Sequence, residues 1–233
     1  GLDPRNGQPL FKNIEEENKE AYKEMTKEQL FLSVMEYSGC RTPFISGGVA
    51  NTFQFRNIVL YINLAYSLGS KIRLLKMYPD VRKEYGSIAP QPRQNVRREF
   101  LERWRYPGDE KHTNIPGILS GKEFEKTLKP WWKEVRGMPK FSENIWQMYD
   151  DSNIRVVSGN YIKLQSFSLR YIVPAKLCKN WHVSSAYINF SESNLFTIAS
   201  HKLKGQDPTQ SGSSSWINIS VPAMYNLSFN VSF

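Results

Sequence analysis

Three histidines, His112, His182 and His201, come first for chemistry, because imidazole is the usual side chain for proton transfer and metal binding near neutral pH. None has an Asp or Glu at ligand spacing, and each stands in a turn-rich stretch or at a strand start, which reads as ordinary surface histidines. Asp150 and Asp151 have the composition of a two-carboxylate site, but adjacent residues on an extended chain point apart, so a solvated turn is expected. Cys40 and Cys178 allow at most one disulfide and have no zinc-type spacing. Nothing here is specific for catalysis, and the expectation is a protein that is not an enzyme and uses no cofactor or metal.

The next candidates lie in a basic segment. The net charge is +9, and residues 71–149 hold 17 Lys/Arg against 10 Asp/Glu, which is most of the excess. Arg97, Arg98, Arg103 and Arg105 beside Trp104 and Tyr106 have the composition of a nucleic-acid site with aromatic interleaving. The competing reading is a solvated, charged loop. Trp131, Trp132 and Trp146 on the same segment could stack on sugar rings or pack against a partner, and packing within the loop accounts for them equally well.

The elements that must position these residues are strands. In residues 57–69 the even positions Ile58, Leu60, Ile62, Leu64, Tyr66 and Leu68 are apolar, whereas the odd ones include Tyr61, Asn63, Ala65 and Ser67. In residues 225–233, Tyr225, Leu227, Phe229, Val231 and Phe233 alternate with Asn226, Ser228, Asn230 and Ser232. Such period-two alternation puts successive side chains on opposite faces of a strand. Residues 160–174 alternate in two phases, so a β-bulge near Gln165 or Ser166 must absorb one residue. Weaker strands run over 44–56 and 183–198, which makes five. Arg56 and Asn57 alone join the first two, and 175–182, opened by Pro174, joins the third and fourth. Residues 14–37 and 92–104 have helix-forming composition.

A soluble sheet alternates as well, so three features weigh for a lipid-facing barrel. The strands reach nine or more alternating residues, which suits a tilted bilayer span of about 9–11. Their polar faces are rich in Asn, Ser and Thr, and aromatics sit near strand ends as in interfacial girdles. The sequence also closes on Phe233, which with Val231 and Phe229 has the form of a terminal signal for barrel assembly. No run of about 18 apolar residues offers a transmembrane helix.

The stretches GLDPRNGQPLF, TPFISGGVANTFQFRNIVLYINLAYSLGSKI, FLERWRYPGDEKHTNIPG, RVVSGNYIKLQSFSLRYIVP, SNLFT followed by GQDP, and NLSFNVSF resemble, in order and spacing, the C-terminal part of SusC/RagA TonB-dependent outer-membrane receptors. The sequence departs from that family at Ser200-His201 and at VPAMY before the last strand, where the family often has Tyr, and residues 118–148 are individual. The fold implied is all-β membrane: five or so antiparallel strands from the C-terminal end of a barrel of about 22 strands, with long extracellular loops containing short helices. The implied layout is an extracellular loop over 1–41, a barrel hairpin over 42–72, a long extracellular loop over 73–154, a hairpin over 155–198, a loop over 199–220 and the last strand over 221–233.

The implied function is import of glycans or peptides across the outer membrane of a Gram-negative bacterium. The partners implied are a SusD-like surface lipoprotein, the TonB complex through a part not present, the barrel-assembly machinery and outer-membrane lipid, with no nucleic acid. In that setting the loop arginines would meet lipopolysaccharide phosphates or the lid protein, and Trp131, Trp132 and Trp146 are candidate substrate or lid contacts. Cys40 and Cys178 fall on opposite membrane faces, so no disulfide is expected. A start at Gly1 and the lack of a plug, a TonB-binding segment and a signal peptide predict a fragment without independent activity. A secreted antiparallel β module that holds glycans with its aromatics is the alternative.

Overall fold

The structure, a computed structural model, describes residues 1–11, 24–33, 35–93, 95–128, 144–209 and 221–233. Its frame is one antiparallel sheet of five strands: β1 (Ile45–Phe55), β2 (Ile58–Leu68), β5 (Tyr161–Ile172), β6 (Ser185–Ala199) and β7 (Met224–Ser232), in the order β1-β2-β5-β6-β7. Two short strands, β3 (Lys71–Arg73) and β4 (Val156–Ser158), pair just beyond the ends of β2 and β5 and continue that hairpin upward. β1 pairs only with β2 and β7 only with β6 among the described residues, so the sheet has two open edges.

Local chemistry fixes the register. The β1–β2 turn is two residues long, and Arg56 holds φ 52° at the position glycine usually fills. Asn57 secures it by donating its side-chain amide to the Ile172 carbonyl at 2.9 Å and accepting the Ile172 N–H at 2.7 Å. On β5, Asn63 and Leu64 of β2 face Ser166 and Leu164, so Gln165 is the extra residue of a bulge and takes a hydrogen bond from Asn63 at 3.2 Å. A second irregularity on β6 is absorbed where Asn194 adopts φ 59°, a conformation Asn tolerates better than most residues. The β5–β6 connection is a short helix opened by Pro174, Ala175–Asn180; composition alone predicts a plain joining stretch there.

Between β3 and β4 the chain folds into a compact body. Helices α1 (Lys27–Ser33), α2 (Gly121–Thr127), α3 (Ile145–Asp151) and α4 (Ala175–Asn180) are all short, and α2 and α3 belong to this body. Its core is Tyr78, Ile88, Phe100, Leu119, Phe124, Ile145, Trp146 and Tyr149. Burying each such large apolar side chain contributes on the order of 2 kcal/mol, which is what organises so loop-rich a segment. Helix α3 starts at a capping box: Asn144 accepts from the Trp146 and Gln147 amides while Gln147 reaches back to the Asn144 N–H.

The helix expected over 92–104 is a single 3-10 turn, Arg98–Glu102. Tertiary demands override propensity there, because Phe100 must enter the core while Glu99 turns to Arg155. The segment 14–37 lies largely outside the described residues, and its described part includes α1.

Candidate functional site

The register sorts the strand residues onto two chemically distinct faces. Phe55, Ile58, Tyr171, Ile188 and Phe229 stand in one row across all five strands, and Phe53, Leu60, Leu169, Phe190 and Leu227 in the next. Val49, Leu64, Leu164 and Phe196 continue the same face beyond the bulge. The opposite face carries Thr52, Gln54, Asn63, Ser67, Ser166, Ser168, Arg170, Asn189, Ser191, Asn226, Ser228 and Asn230.

The apolar face is uncovered. Phe53, Phe55, Leu227 and Phe229 are 57%, 70%, 58% and 67% exposed, and Val231 and Phe233 are exposed beside them. Exposed single apolar residues are unremarkable, but a contiguous apolar surface spanning five strands is far beyond what a water-facing monomer keeps. Two polar residues interrupt this face in one row: Asn51, opposite Ile62, and Glu192, which is buried with both carboxylate oxygens lacking a hydrogen-bond partner, across from Phe167 and Tyr225. On the polar face some groups find partners: the Arg170 guanidinium lies 4.7 Å from the Tyr187 ring centroid, and Ser228 donates to the Asn189 backbone carbonyl, whereas the Asn189 side-chain oxygen is buried without a partner.

The loop body is fixed rigidly to one end of this sheet. Arg155, next to β4, donates to both oxygens of Glu99 at 2.9 and 3.0 Å and to the Leu75 carbonyl at 2.7 Å. Asp150, the penultimate residue of α3, accepts the Met77 and Tyr78 amides at 2.8 and 2.7 Å and lies 3.8 Å from the Arg155 Nε. Burial would raise the Glu99 pKa, but the hydrogen bonds and charge of Arg155, with Arg97 behind, outweigh it and hold the carboxyl below its ordinary value. At Asp150 burial dominates, and the two amides and Arg155 offset it only in part, so its pKa is raised. Burial also pushes the Tyr149 phenol up to about 12. Gln206 joins the third loop to the same body by accepting the Leu75 N–H at 2.7 Å.

The N-terminal stretch meets the loop body through Phe11, which packs against its core, and through the Trp104 indole. Trp104 is wedged against Gly7 and Gly117, where an added Cβ would come within 2.5 and 2.7 Å of its ring, and the Gly117 N–H donates to the Gly7 carbonyl at 3.0 Å. Gly7 also holds φ 70°, so both the space and the conformation demand glycine.

No family model matches this sequence, and no curated protein matches it. Among solved structures the chain is similar to the RagAB peptide importer in its open-open state, with 17% identity and a TM-score of 0.47 over 89% of this chain and 19% of that one. It is similar as well to the closed-closed state of the same importer, with 19% identity and a TM-score of 0.43 over 75% of this chain and 15% of that one. The chain thus spans at most about a fifth of the length of these solved structures. No helix among the described residues is long and apolar enough to cross a membrane.

The structure separates the residues singled out from sequence. Phe229, Val231 and Phe233 lie exposed along β7 and its end, on the apolar face. Trp146 is fully buried and donates its indole N–H to the Thr127 hydroxyl at 2.8 Å, so it presents no surface to a substrate or lid. Trp131 and Trp132 lie outside the described residues.

The solvated turn expected at Asp150-Asp151 is instead the end of helix α3, and only Asp151 is solvated. Successive helical residues point about 100° apart, so Asp150 enters the core while Asp151 stays at the surface near Lys76, 3.5 Å away. The solvated loop expected over 71–149 is also a folded body. Trp104 is buried, Arg97 pairs with Glu99, and Arg103 and Arg105 donate to the Phe100 and Leu101 carbonyls. Arg98, Arg105 and Tyr106 stay exposed on this body.

Cys40 and Cys178 are both free thiols, near opposite ends of the sheet: the Cys40 carbonyl accepts from Lys71, next to the Leu68 end of β2, and Cys178 lies on the helix at the Ile172 end of β5. His112, His182 and His201 belong to no cluster that could hold a metal among the described residues. The buried Glu99, Asp150 and Arg155 group was not legible in sequence, since its members are separated by up to 56 positions and carry no motif.

Proposed function

We propose that this chain is a wall segment of an outer-membrane β-barrel importer of the SusC/RagA type, taking up peptides or glycans with a SusD-like surface lipoprotein. The observation that carries this reading is the uncovered apolar face, which runs across five antiparallel strands of 9 to 15 residues with a polar face behind it. Strands of this length cross a bilayer when tilted, and lipid is the solvent in which such a face costs nothing. The open edges of β1 and β7 are then joined to further strands, because an unpaired edge in hydrocarbon leaves backbone groups unsatisfied at several kcal/mol each.

In this reading the Asn, Ser and Thr face lines a wet lumen, and the loop body caps it on the extracellular side. The Arg56-Asn57 turn and the α4 connection face the periplasm. Energy from TonB and a plug are supplied by polypeptide beyond these residues, and the chain acts in transport rather than catalysis. Phe229, Val231 and Phe233 serve as the strand that the barrel-assembly machinery reads. The sequence stretches quoted above support the family assignment.

Fractionation of the native host with an antibody against residues 95–110 tests the proposal. A heat-modifiable outer-membrane band is expected. A water-soluble band near 27.1 kDa that needs no detergent contradicts it.

A further inference from the structure

A pocket of about 160 Å³ lies at the loop end of the sheet, lined by Arg41, Ser67, Ser70, Gly159, Tyr161 and Thr209 among others. It is on the polar side, since Ser67 and Tyr161 are cross-strand partners in the row next to Ala65 and Lys163. Its walls are well determined by the backbone. The Gly159 N–H donates to the Ser70 carbonyl at 2.9 Å, the Gly69 N–H donates to the Asn160 side chain at 2.8 Å, and the Lys71 N–H donates to the Cys40 carbonyl at 2.8 Å, which brings Arg41 to the rim.

Those bonds engage the main-chain donors and leave side-chain donors free. Ser67 and Ser70 are only 7% and 6% exposed, yet neither hydroxyl has a hydrogen-bond partner among the described residues. Neither oxygen is among the buried side-chain atoms left without a partner, so both reach the water in the pocket and stand open to a ligand that displaces it. Arg41 is exposed and forms no ion pair among the described residues. The Thr209 hydroxyl is already taken, donating to Asp207 at 2.6 Å, so it is not counted as a donor. Gly159 keeps the space open: an added Cβ would come within 2.7 Å of the Ser70 Oγ and 2.9 Å of Ile72.

We infer that this pocket binds a single oxyanion group, a carboxylate or a phosphate, held by the Arg41 guanidinium and the Ser67, Ser70 and Tyr161 hydroxyls. The chemistry is three neutral O–H donors and one planar cation around a compartment roomy enough for one small anion with some of its water, with charge-assisted bonds from the guanidinium supplying most of the attraction. The inference concerns the pocket alone and stands apart from the membrane reading.

Equilibrium dialysis of the detergent-purified protein against radiolabelled inorganic phosphate, and separately against acetate, at constant ionic strength tests it. One saturable site per chain is expected for at least one of the two. Saturation by acetate assigns the site to carboxylates, as at a peptide end, and saturation by phosphate assigns it to phosphate esters. Arg41→Gln should weaken that binding by about tenfold or more, with Arg41→Lys between, and Ser67→Ala should weaken it less. Because Arg41 is exposed and unpaired, the Arg41→Gln unfolding midpoint should be unchanged, which separates loss of the site from loss of fold. No saturable binding of either anion, or unaltered binding in Arg41→Gln, overturns the inference.

Discussion

The sheet and the loop body are built from the same chain and meet at β3 and β4, yet they solve opposite problems. The body hides Phe124, Trp146 and Tyr149 and even draws Glu99, Asp150 and Arg155 inside. The sheet leaves Phe53, Phe55, Leu227 and Phe229 more than half exposed. A segment rich in charge and turns therefore makes the dry core, and the regular, apolar strands make the open surface. The contrast teaches that the two regions are designed for different solvents: the body excludes water by itself, whereas the sheet requires something apolar around it.

Substitutions inside the body should have the largest effect. Trp146→Ala empties the centre of its core and should cost about 3–5 kcal/mol, read by denaturant unfolding of the body followed by tryptophan fluorescence and proteolysis. If the body tolerates it at under about 1 kcal/mol, the core is not what holds the segment.

Arg155→Met should cost a comparable amount, about 3–5 kcal/mol, because it leaves Glu99 buried without its partner. The pH dependence gives the sign. Glu99, held below its ordinary value of 4.5, contributes stability that is complete above that value and is lost as pH falls through its folded pKa. Asp150, raised above 3.8, acts in the other direction, and its contribution is lost as pH rises from 3.8 through its folded pKa. Unfolding midpoints of Arg155→Met measured across this acid range should therefore show a weaker acid loss than the parent. An unchanged profile would break the link between Arg155 and Glu99.

The sheet sharpens the comparison through paired neighbours. Arg placed at Ile62, in the middle of β2 on the apolar face, should cost about 2–4 kcal/mol in a bilayer, and Arg at the adjacent Asn63 should cost close to nothing. Folding yields and heat-modifiability in lipid vesicles report the difference. Equal costs would remove the distinction between the faces. Asn144→Ala, which deletes the cap of α3, should give the smallest effect, about 1 kcal/mol, seen as a lower unfolding midpoint of the body alone.

The strands were legible because a half-exposed sheet must alternate, and Ile58–Leu68 and Met224–Ser232 do so almost without a break. Even the bulge at Gln165 was visible, as a change of phase that only an extra residue can absorb. The loop body was not legible. Its contacts join distant residues, as where Gln206 binds Leu75, and no periodic pattern announces such pairings. Trp146 and Trp104 illustrate the same limit, since an indole's composition says nothing of whether Phe124 and Tyr149, or water, surround it. The oxyanion pocket depends on turns at Gly69 and Gly159 that bring Arg41, Ser67 and Ser70 together, a juxtaposition set by pairing rather than by spacing.

The central claim is that the apolar face of the sheet lies in lipid and the polar face in water. Nitroxide labels placed singly at residues 58–68 of the protein in bilayers, with oxygen and a water-soluble nickel chelate as relaxing agents, test it residue by residue. The account predicts a period of two, with oxygen favoured at 58, 60, 62, 64 and 66 and the chelate favoured at 59, 61, 63 and 65. Chelate access at both sets alike would contradict it.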